Sequence, residues 1–512
     1  MPEKPGLARV LGVLAVAAAT LAAEYGSGVN LVLVNALGTQ PQVTYLVPVA
    51  LIVAGVVLGP AVLLFARFAQ ALPRAGSAYV WMTRTVGTRI GFAASALYVV
   101  GVIGSIGFQS YGFAVFFANM LDATGWRAGA AAAGSPTGHI LLGALPILAF
   151  TVIQLRGISS FGRLMAVMLG MVLVVVVLTV VISLTGDPET YLRHTEDLLG
   201  HPVVAPADTT PTLSAFLGCL VLFVYSYGGV SAAPSLGGET RDGKTLAGGL
   251  VRGWLIAIAL YAVVAFAVFH AVPWYAVNPL VTAGHQAEAT IPGIVAVFAP
   301  RAVTVVFDLF IVIVAGKTIA PLMVDCSRIM FAWSRDGLLP PVCGRTNARQ
   351  VPVVPVLVTS VLGVLFVFEM STAGFQIGVA LRAVTFMLVI AIVGLGWLRL
   401  RMRTAAHRPT WAKELVRRRE LLVAAPAAVA IAVALMIQGF VQPHTPLLLQ
   451  PGMQALFALA VAAVLWSVAS RRARAAGQVL GGATRSMVDE IDLPPDDVHS
   501  PAADTEPGRT AP

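Results

Sequence analysis

Long apolar stretches alternate with short polar ones along most of the chain. Twelve of them run for about 20 residues or more: roughly 9–35, 43–69, 90–120, 138–157, 164–186, 212–237, 248–272, 301–332, 352–371, 373–398, 420–441 and 450–470. At 1.5 Å per residue, about 20 helical residues cross ~30 Å of hydrocarbon, so each stretch reads as a transmembrane helix. The first is too long for the apolar region of a signal peptide and polar at its middle, so it reads as a retained span. Two spans are broken by glycine: span 1 by "EYGSGVN" from Glu24, and span 6 by "VYSYGGVSAAPSLGG" from Val224. Gly228 and Gly229 lie 202 and 201 positions after Gly26 and Gly28, which puts the breaks in the first span of each of two five-span blocks. Interrupted helices at matching places in two halves point to an inverted-repeat transporter. Residues 187–208 and 273–300 read as polar loops, with Trp274 and Tyr275 as interfacial anchors. Residues 471–512, rich in Ala, Gly and Pro, read as a disordered cytoplasmic tail.

Composition turns this pattern into a solvent assignment. Hydrophobic residues make up 58% of the chain and charged ones 11%, against about 25% charged in soluble domains. Lipid is the solvent that such a chain requires. The net charge of +9 acquires meaning only from where the cations lie. With the N-terminus inside, alongside Lys4 and Arg9, the inner junctions collect Arg67 to Arg89, Arg241 to Arg252, Arg328 to Arg349 and the dense run from Arg399 to Arg419. The outer junctions hold only Arg127, Arg193 and Arg301. This bias predicts a multi-pass protein of the plasma (cell inner) membrane with both termini cytoplasmic. It also makes the basic surplus a contact for anionic membrane lipid, with no nucleic acid as partner. Three cysteines and eight scattered histidines form no disulfide framework and no metal cluster, and no cofactor is expected. No Ser–His, His–Asp or metal constellation shares a depth in the bilayer, which argues against an intramembrane enzyme.

The breaks carry the chemistry. A helix interrupted in hydrocarbon frees amides at one half and carbonyls at the other, and each would cost several kcal/mol if left bare. The new helix start at Gly26, Ser27 and Gly28 can hold a carboxylate. The carbonyl ends at Tyr25 and around Tyr225 and Tyr227 can accept from an ammonium, with Gly228 and Gly229 opening the second helix and Val230 just beyond. Together these groups complement an α-amino acid zwitterion. The alternative is that the glycines only permit close helix packing.

Longer motifs surround these residues. "ALPRAGSAYVWMTRTVGTRIGF" (71–92) follows span 2, "YSYGGVSAAPSLGGET" (225–240) ends span 6 in an acid, and "SRIMFAWSRDGLLPP" (327–341) ends span 8. With the "GSG" of span 1, they resemble the amino acid–polyamine–organocation superfamily of permeases over about residues 10–400. The resemblance implies an all-α integral membrane protein with twelve transmembrane helices. Its fold would be an inverted 5+5 repeat of the leucine-transporter type plus two C-terminal helices. On that pattern residues 9–186 form the first five-helix repeat, 212–398 the second, and 420–470 the two additional spans. The implied activity is secondary transport of an amino acid or a related small amine. Three positions depart from the family: Glu24, often hydrophobic there; Lys317, usually small or polar; and Val230, often a bulky aromatic.

Buried charges complete the list of candidates. Glu24 lies 15 residues beyond Arg9, and Lys317 lies 11 residues from Arg328. Both therefore sit near the midplane, roughly 22 and 16 Å deep. In the resembling fold, spans 1 and 8 are neighbours, and sodium-dependent relatives bind an ion between them. Lys317 would stand in for that cation, paired with Glu24. The pair would be either a fixed bridge that removes sodium dependence or a titrating pair that makes protons the coupling ion. A static pair with no role in transport is the third reading. Asp308 and Arg382 would pair as an outer gate latch, or each reach the interface separately. Glu239 would latch the inner side through Arg74 or another basic residue. Tyr98, Gln109 and Tyr111 in span 3 either line the cavity or pack the core, and Asp325 and Arg328 lie near the inner mouth. The chain thus reads as a secondary active transporter working by alternating access. The rivals are a polyamine or organic-cation carrier or exchanger on the same fold, a channel, and a solute sensor.

Overall fold

A computed structural model describes residues 9–207, 209–373, 376–439, 450–477 and 480. Among these residues all extended elements are helices, and β structure is confined to two isolated bridges, Leu11–Thr240 and Thr346–Pro352. Eleven helices among the described residues are long and apolar enough to cross a membrane, or twelve when the bent pair of span 6 is taken as one.

Span 1 is α1 (Val13–Glu24) and α2 (Ser27–Thr39), interrupted at Tyr25 and Gly26. Span 2 is α3 (Val47–Val57) and α4 (Gly59–Ala71), jointed at Leu58 ahead of Pro60. Then come α5 (Ser77–Thr85), α6 (Thr88–Ala123), α7 (Arg127–Ala133), α8 (Pro136–Leu155), α9 (Ile158–Thr185) and α10 (Pro188–Leu199). Span 6 is α11 (Leu213–Ser226), α12 (Gly229–Ala232) and a 3-10 turn from Ala233 to Gly238, with a bend of 41° between its halves. The remainder is α13 (Gly243–Ala271), α14 (Trp274–Thr282), α15 (Ile291–Phe298), α16 (Arg301–Arg335), α17 (Val353–Ala373), α18 (Gln376–Met402), α19 (Thr410–Arg417), α20 (Leu421–Gly439) and α21 (Pro451–Ala475).

The two expected loops differ from expectation, because each contains helix. In 187–208 the Asp187 side chain caps α10 by accepting from the Glu189 amide, and Pro188 takes the first helical position, where its missing N–H is harmless. In 273–300 Thr290 caps α15 in the same way through the Gly293 amide. α14 and α15 pack over the end of α2, with α10 against them, and the Asn35 amide donates to the Ala289 carbonyl at 2.9 Å. The expected tail begins as the last turn of α21, and beyond residue 480 it lies outside the described residues, as does Lys4.

The core of the molecule is α6 running along α16, with α18 and α17 against α6 and α13 against α1. Every membrane-length helix of α8 and α9 turns an apolar stripe outward: Leu141, Leu145, Leu148 and Val152 on one, Val177, Val181 and Leu184 on the other. Three- and four-residue spacing puts each stripe on one helix face, and an exposed apolar surface of this extent belongs in hydrocarbon. The chain is a multi-pass membrane protein. The ends that carry residues 72–88, 239–243 and 335–352 share one side, called the basic face below.

Candidate functional site: two helix breaks and their cations

The break in span 1 begins with backbone geometry. α1 ends at Glu24, Tyr25 is extended with ψ 97°, and Gly26 has φ −150° and ψ −146°. Gly26 is dictated by crowding, because a Cβ there would stand 2.9 Å from Thr318 Cβ and 3.1 Å from Gln109 Oε1. The carbonyls at the end of α1 carry the negative end of its dipole. Lys317 of α16 meets them: its Nζ donates to the Ala22 carbonyl at 2.9 Å and the Tyr25 carbonyl at 2.5 Å, and the side chain is fully buried. Pro321, four residues on, cannot donate to the Lys317 carbonyl and so locally loosens α16 here.

The break in span 6 is built in a similar way. Arg382 of α18 is 2% exposed and lies on the backbone of Gly228. Its Nη2 donates to the Gly228 carbonyl at 3.2 Å and to Ser231 Oγ at 2.5 Å. The guanidinium stacks 4.6 Å above the Tyr98 ring. The Tyr98 hydroxyl accepts from Nη2 at 3.4 Å and donates to Asp325 Oδ2 at 2.6 Å, so an arginine on α18 reaches a carboxylate on α16 through α6. The neighbouring Ser226 carbonyl is taken by the Tyr261 hydroxyl at 3.0 Å. Each broken helix therefore has its carbonyl end held by a resident cation.

The amide end of the first break is also occupied. The Ser27 amide donates to Gln109 Oε1 at 2.9 Å, and Ser27 Oγ bonds to the same oxygen. Gln109 Nε2 donates in turn to the Tyr225 hydroxyl at 3.4 Å. One side chain of α6 thus links both broken helices. Tyr225 also closes over Gly28, where a Cβ would be 3.2 Å from its ring.

Several expected pairings are not formed. Lys317 does not reach Glu24. Both Glu24 carboxylate oxygens are buried, and the carboxyl faces the Val230 amide beside Tyr227 and Tyr261. Its Cγ lies against Gly229, where a Cβ would come within 2.6 Å. The reason is azimuth: Glu24 leaves α1 on the side of α12 and α13, whereas the carbonyls that Lys317 meets point along the helix axis. Asp308 and Arg382 do not form a latch, since Arg382 is spent on span 6 and Asp308 Oδ1 has no partner. Glu239 pairs with Arg328 of α16, another basic residue at this end, whose Nε and Nη2 approach Oε1 at 3.1 and 2.5 Å. Tyr25 and Tyr227 contribute backbone rather than side chain. The Tyr25 ring packs on Tyr261 at 5.7 Å, and the Tyr227 hydroxyl donates to the Leu51 carbonyl of α3 at 3.1 Å. Thr318, Ser231 and Tyr261 belong to the site without having been singled out in the sequence, because lone hydroxyls in apolar helices carry no pattern.

The basic face is shut. Besides the buried Glu239–Arg328 pair, the Tyr79 hydroxyl donates to Asp336 Oδ2 at 2.5 Å. The amides of Val10 and Leu11 donate to the Glu239 carbonyl at 2.9 and 3.0 Å, tying the start of span 1 to the end of span 6. Outside the spans, the Asp242 side chain caps α13. The Thr245 amide bonded to it holds that carboxyl below the usual range. Among the described residues, no group of His, Cys, Asp and Glu has a metal-binding arrangement.

Comparison with known proteins agrees with this architecture. Residues 11–469 match the family described as "Amino acid permease". The chain is similar to the branched-chain amino acid permease BcaP of Lactococcus lactis subsp. cremoris (strain MG1363), 26% identical over 336 residues, 62% of this chain and 68% of that one. It is also similar to the branched-chain amino acid permease BcaP of Bacillus subtilis (strain 168), 25% identical over 365 residues, 67% of this chain and 71% of that one. These matches point to a transporter and lend no support to the channel, sensor or polyamine readings. Two broken spans with their polar ends gathered together, in a chain matched almost end to end, lead to one statement: this protein belongs to the amino acid permease family.

Proposed function

We propose that the protein is a sodium-independent amino acid carrier of the plasma membrane that works by alternating access, with both termini cytoplasmic. The observation that carries this reading is Lys317. Its Nζ holds the carbonyl end of α1 at the break, the kind of helix end at which ion-coupled carriers coordinate their cation. The Lys317 side chain does the same work with no sodium gradient. The substrate carboxylate goes to the Ser27 and Gly28 amides and the Ser27 hydroxyl. With the carbonyls of Tyr25, Ser226 and Gly228 already taken, the Glu24 carboxyl, which Lys317 does not reach, is the acceptor left for the substrate ammonium. Residues 9–186 and 212–398 act as two inverted five-helix repeats around this site, and 420–470 adds two spans. The relatives named for branched-chain substrates, together with the buried apolar side chains of Val230 and Phe108 beside the breaks, make leucine, isoleucine and valine the first candidates.

A second reading, proton coupling, is favoured by one observation. The Glu24 carboxyl is buried and faces the Val230 amide rather than Lys317, so a proton arriving there neutralises a charge held in a low-dielectric interior. Both readings are tested by a melting-temperature screen of purified protein against the standard amino acids in sodium-free buffer. A hit is then assayed in liposomes with an imposed pH gradient, comparing wild type with Glu24→Gln. Binding that requires sodium contradicts the first reading. Uptake by Glu24→Gln with unchanged response to the gradient contradicts the second.

A further inference from the structure

In the shut site, the strongest unexplained contact is the one made by Gln109. Its orientation is not ambiguous: the Ser27 amide can only donate, so the atom facing it is the amide oxygen. That oxygen accepts from a backbone N–H at a helix start and from a hydroxyl at once. One oxygen of a carboxylate would accept from the same two donors. Gln109 is 3% exposed, and its other end is anchored on Tyr225. Gly112, one turn further along α6, allows the close approach, since a Cβ there would lie 2.6 Å from Ser27 Cβ.

We propose that Gln109 is a resident stand-in for the substrate carboxylate: in the empty carrier its amide oxygen occupies the donors of Ser27, and loading requires the side chain to swing away. This rests on the amino acid carrier reading and adds a residue that sets affinity by competition rather than by contact. Hydrogen bonds to an ionised acceptor are roughly twice as strong as those to a neutral one, so a carboxylate displaces the amide. When substrate leaves, the amide returns, and the donors at the break are never bare in hydrocarbon. Gln109 is therefore a positioning residue that keeps the emptied carrier able to close and return. It also lowers the net affinity that a fully vacant Ser27 would show.

The test begins with the amino acid that raises the wild-type melting temperature most, and with its methyl ester, which lacks the carboxylate. Both are titrated into wild type, Gln109→Leu, Gln109→Asn and Gln109→Glu. Leucine cannot accept a hydrogen bond, and asparagine is too short to reach Ser27. Both variants are expected to bind the amino acid more tightly, by about threefold to tenfold in Kd, as one or two neutral hydrogen bonds no longer compete. The methyl ester should show a smaller gain or none. Gln109→Glu, with a tethered carboxylate, should lose amino acid binding by at least about tenfold. If Gln109→Leu should fail to fold, Gln109→Asn gives the same reading. Weaker amino acid binding by the folded apolar or shortened variant makes Gln109 a substrate contact and overturns the proposal. A wild type that binds no amino acid overturns the carrier reading itself, a result distinct from the first.

Discussion

Replacing Lys317 by alanine removes the cation that holds the end of α1. Two hydrogen bonds from a charged donor go, to the Ala22 and Tyr25 carbonyls. At about 1.5–3 kcal/mol each, their gross value is about 3–6 kcal/mol. Part is returned, because the ammonium no longer has to be desolvated at the centre of the protein, which leaves a net loss of about 2–4 kcal/mol. The freed carbonyls also become a place for a small cation. In detergent, Lys317→Ala should therefore melt several degrees lower than wild type in choline buffer, and sodium at about 100 mM should recover part of the difference. In liposomes, its uptake in choline should fall at least about tenfold. Lys317→Met, which keeps the stem and loses the charge, should behave the same way. A Lys317→Ala protein with wild-type melting temperature and uptake in sodium-free buffer would refute the reasoning, because it would mean that the carbonyl end needs no cation.

Three further outcomes are expected. Arg328→Met leaves the Glu239 carboxylate buried and unpaired at 1% exposure, which should cost about 3–5 kcal/mol and open the basic face, read as faster hydrogen exchange from Leu236 to Thr240. Gly229→Ala places a methyl within 2.6 Å of Glu24 Cγ and 2.7 Å of the Thr20 carbonyl, so it should cost at least about 1–3 kcal/mol of stability and abolish uptake, whereas Gly248→Ala, with open space around its Cβ position, should be neutral in both assays. On the surface opposite the basic face, the Glu288 carboxylate, 3.7 Å from His194 Nε2, raises that imidazole above its ordinary value. Because the folded pKa is raised, the contact contributes fully below the ordinary imidazole range and is lost as pH rises through the raised value. Exchange in residues 285–290 should thus be faster at pH 8.5 than at pH 5.5 beyond the intrinsic chemical difference, and Glu288→Gln should remove that excess.

The spans and the breaks were legible because both are properties of a single segment. A run of apolar residues reports that it crosses lipid, and "GSG" or "YGGVSAAP" reports where a helix cannot continue. Height along a helix was legible as well: counting 1.5 Å per residue put Glu24 and Lys317 at comparable levels, and Lys317 does meet the end of α1. Azimuth was not. Which way Glu24 leaves α1 depends on the phase of that helix against α12 and α13, and no property of residues 13–24 fixes it. The sequence therefore placed Lys317 and Glu24 at the same height and joined them. In the fold the ammonium turns to carbonyls and the carboxylate to the other side. Arg382 shows the same limit. Its position in span 10 was visible, but its contact with Gly228 arises because α18 packs against α11, a contact between elements more than 150 positions apart. The short helices over α2 were missed for a different reason. They are held by caps and packing rather than by apolar length, and the cap residues Asp187 and Thr290 read as ordinary loop residues until the following helix is seen.

Amino acid counterflow tests the central claim most directly. Purified wild-type protein in liposomes loaded with unlabelled leucine is diluted into labelled leucine, once in choline and once in sodium. The expected result is saturable accumulation of label at the same rate in both, abolished in choline by Lys317→Met. Accumulation that appears only with sodium, or that survives Lys317→Met unchanged in choline, would contradict the assignment of that lysine as the built-in cation of the carrier.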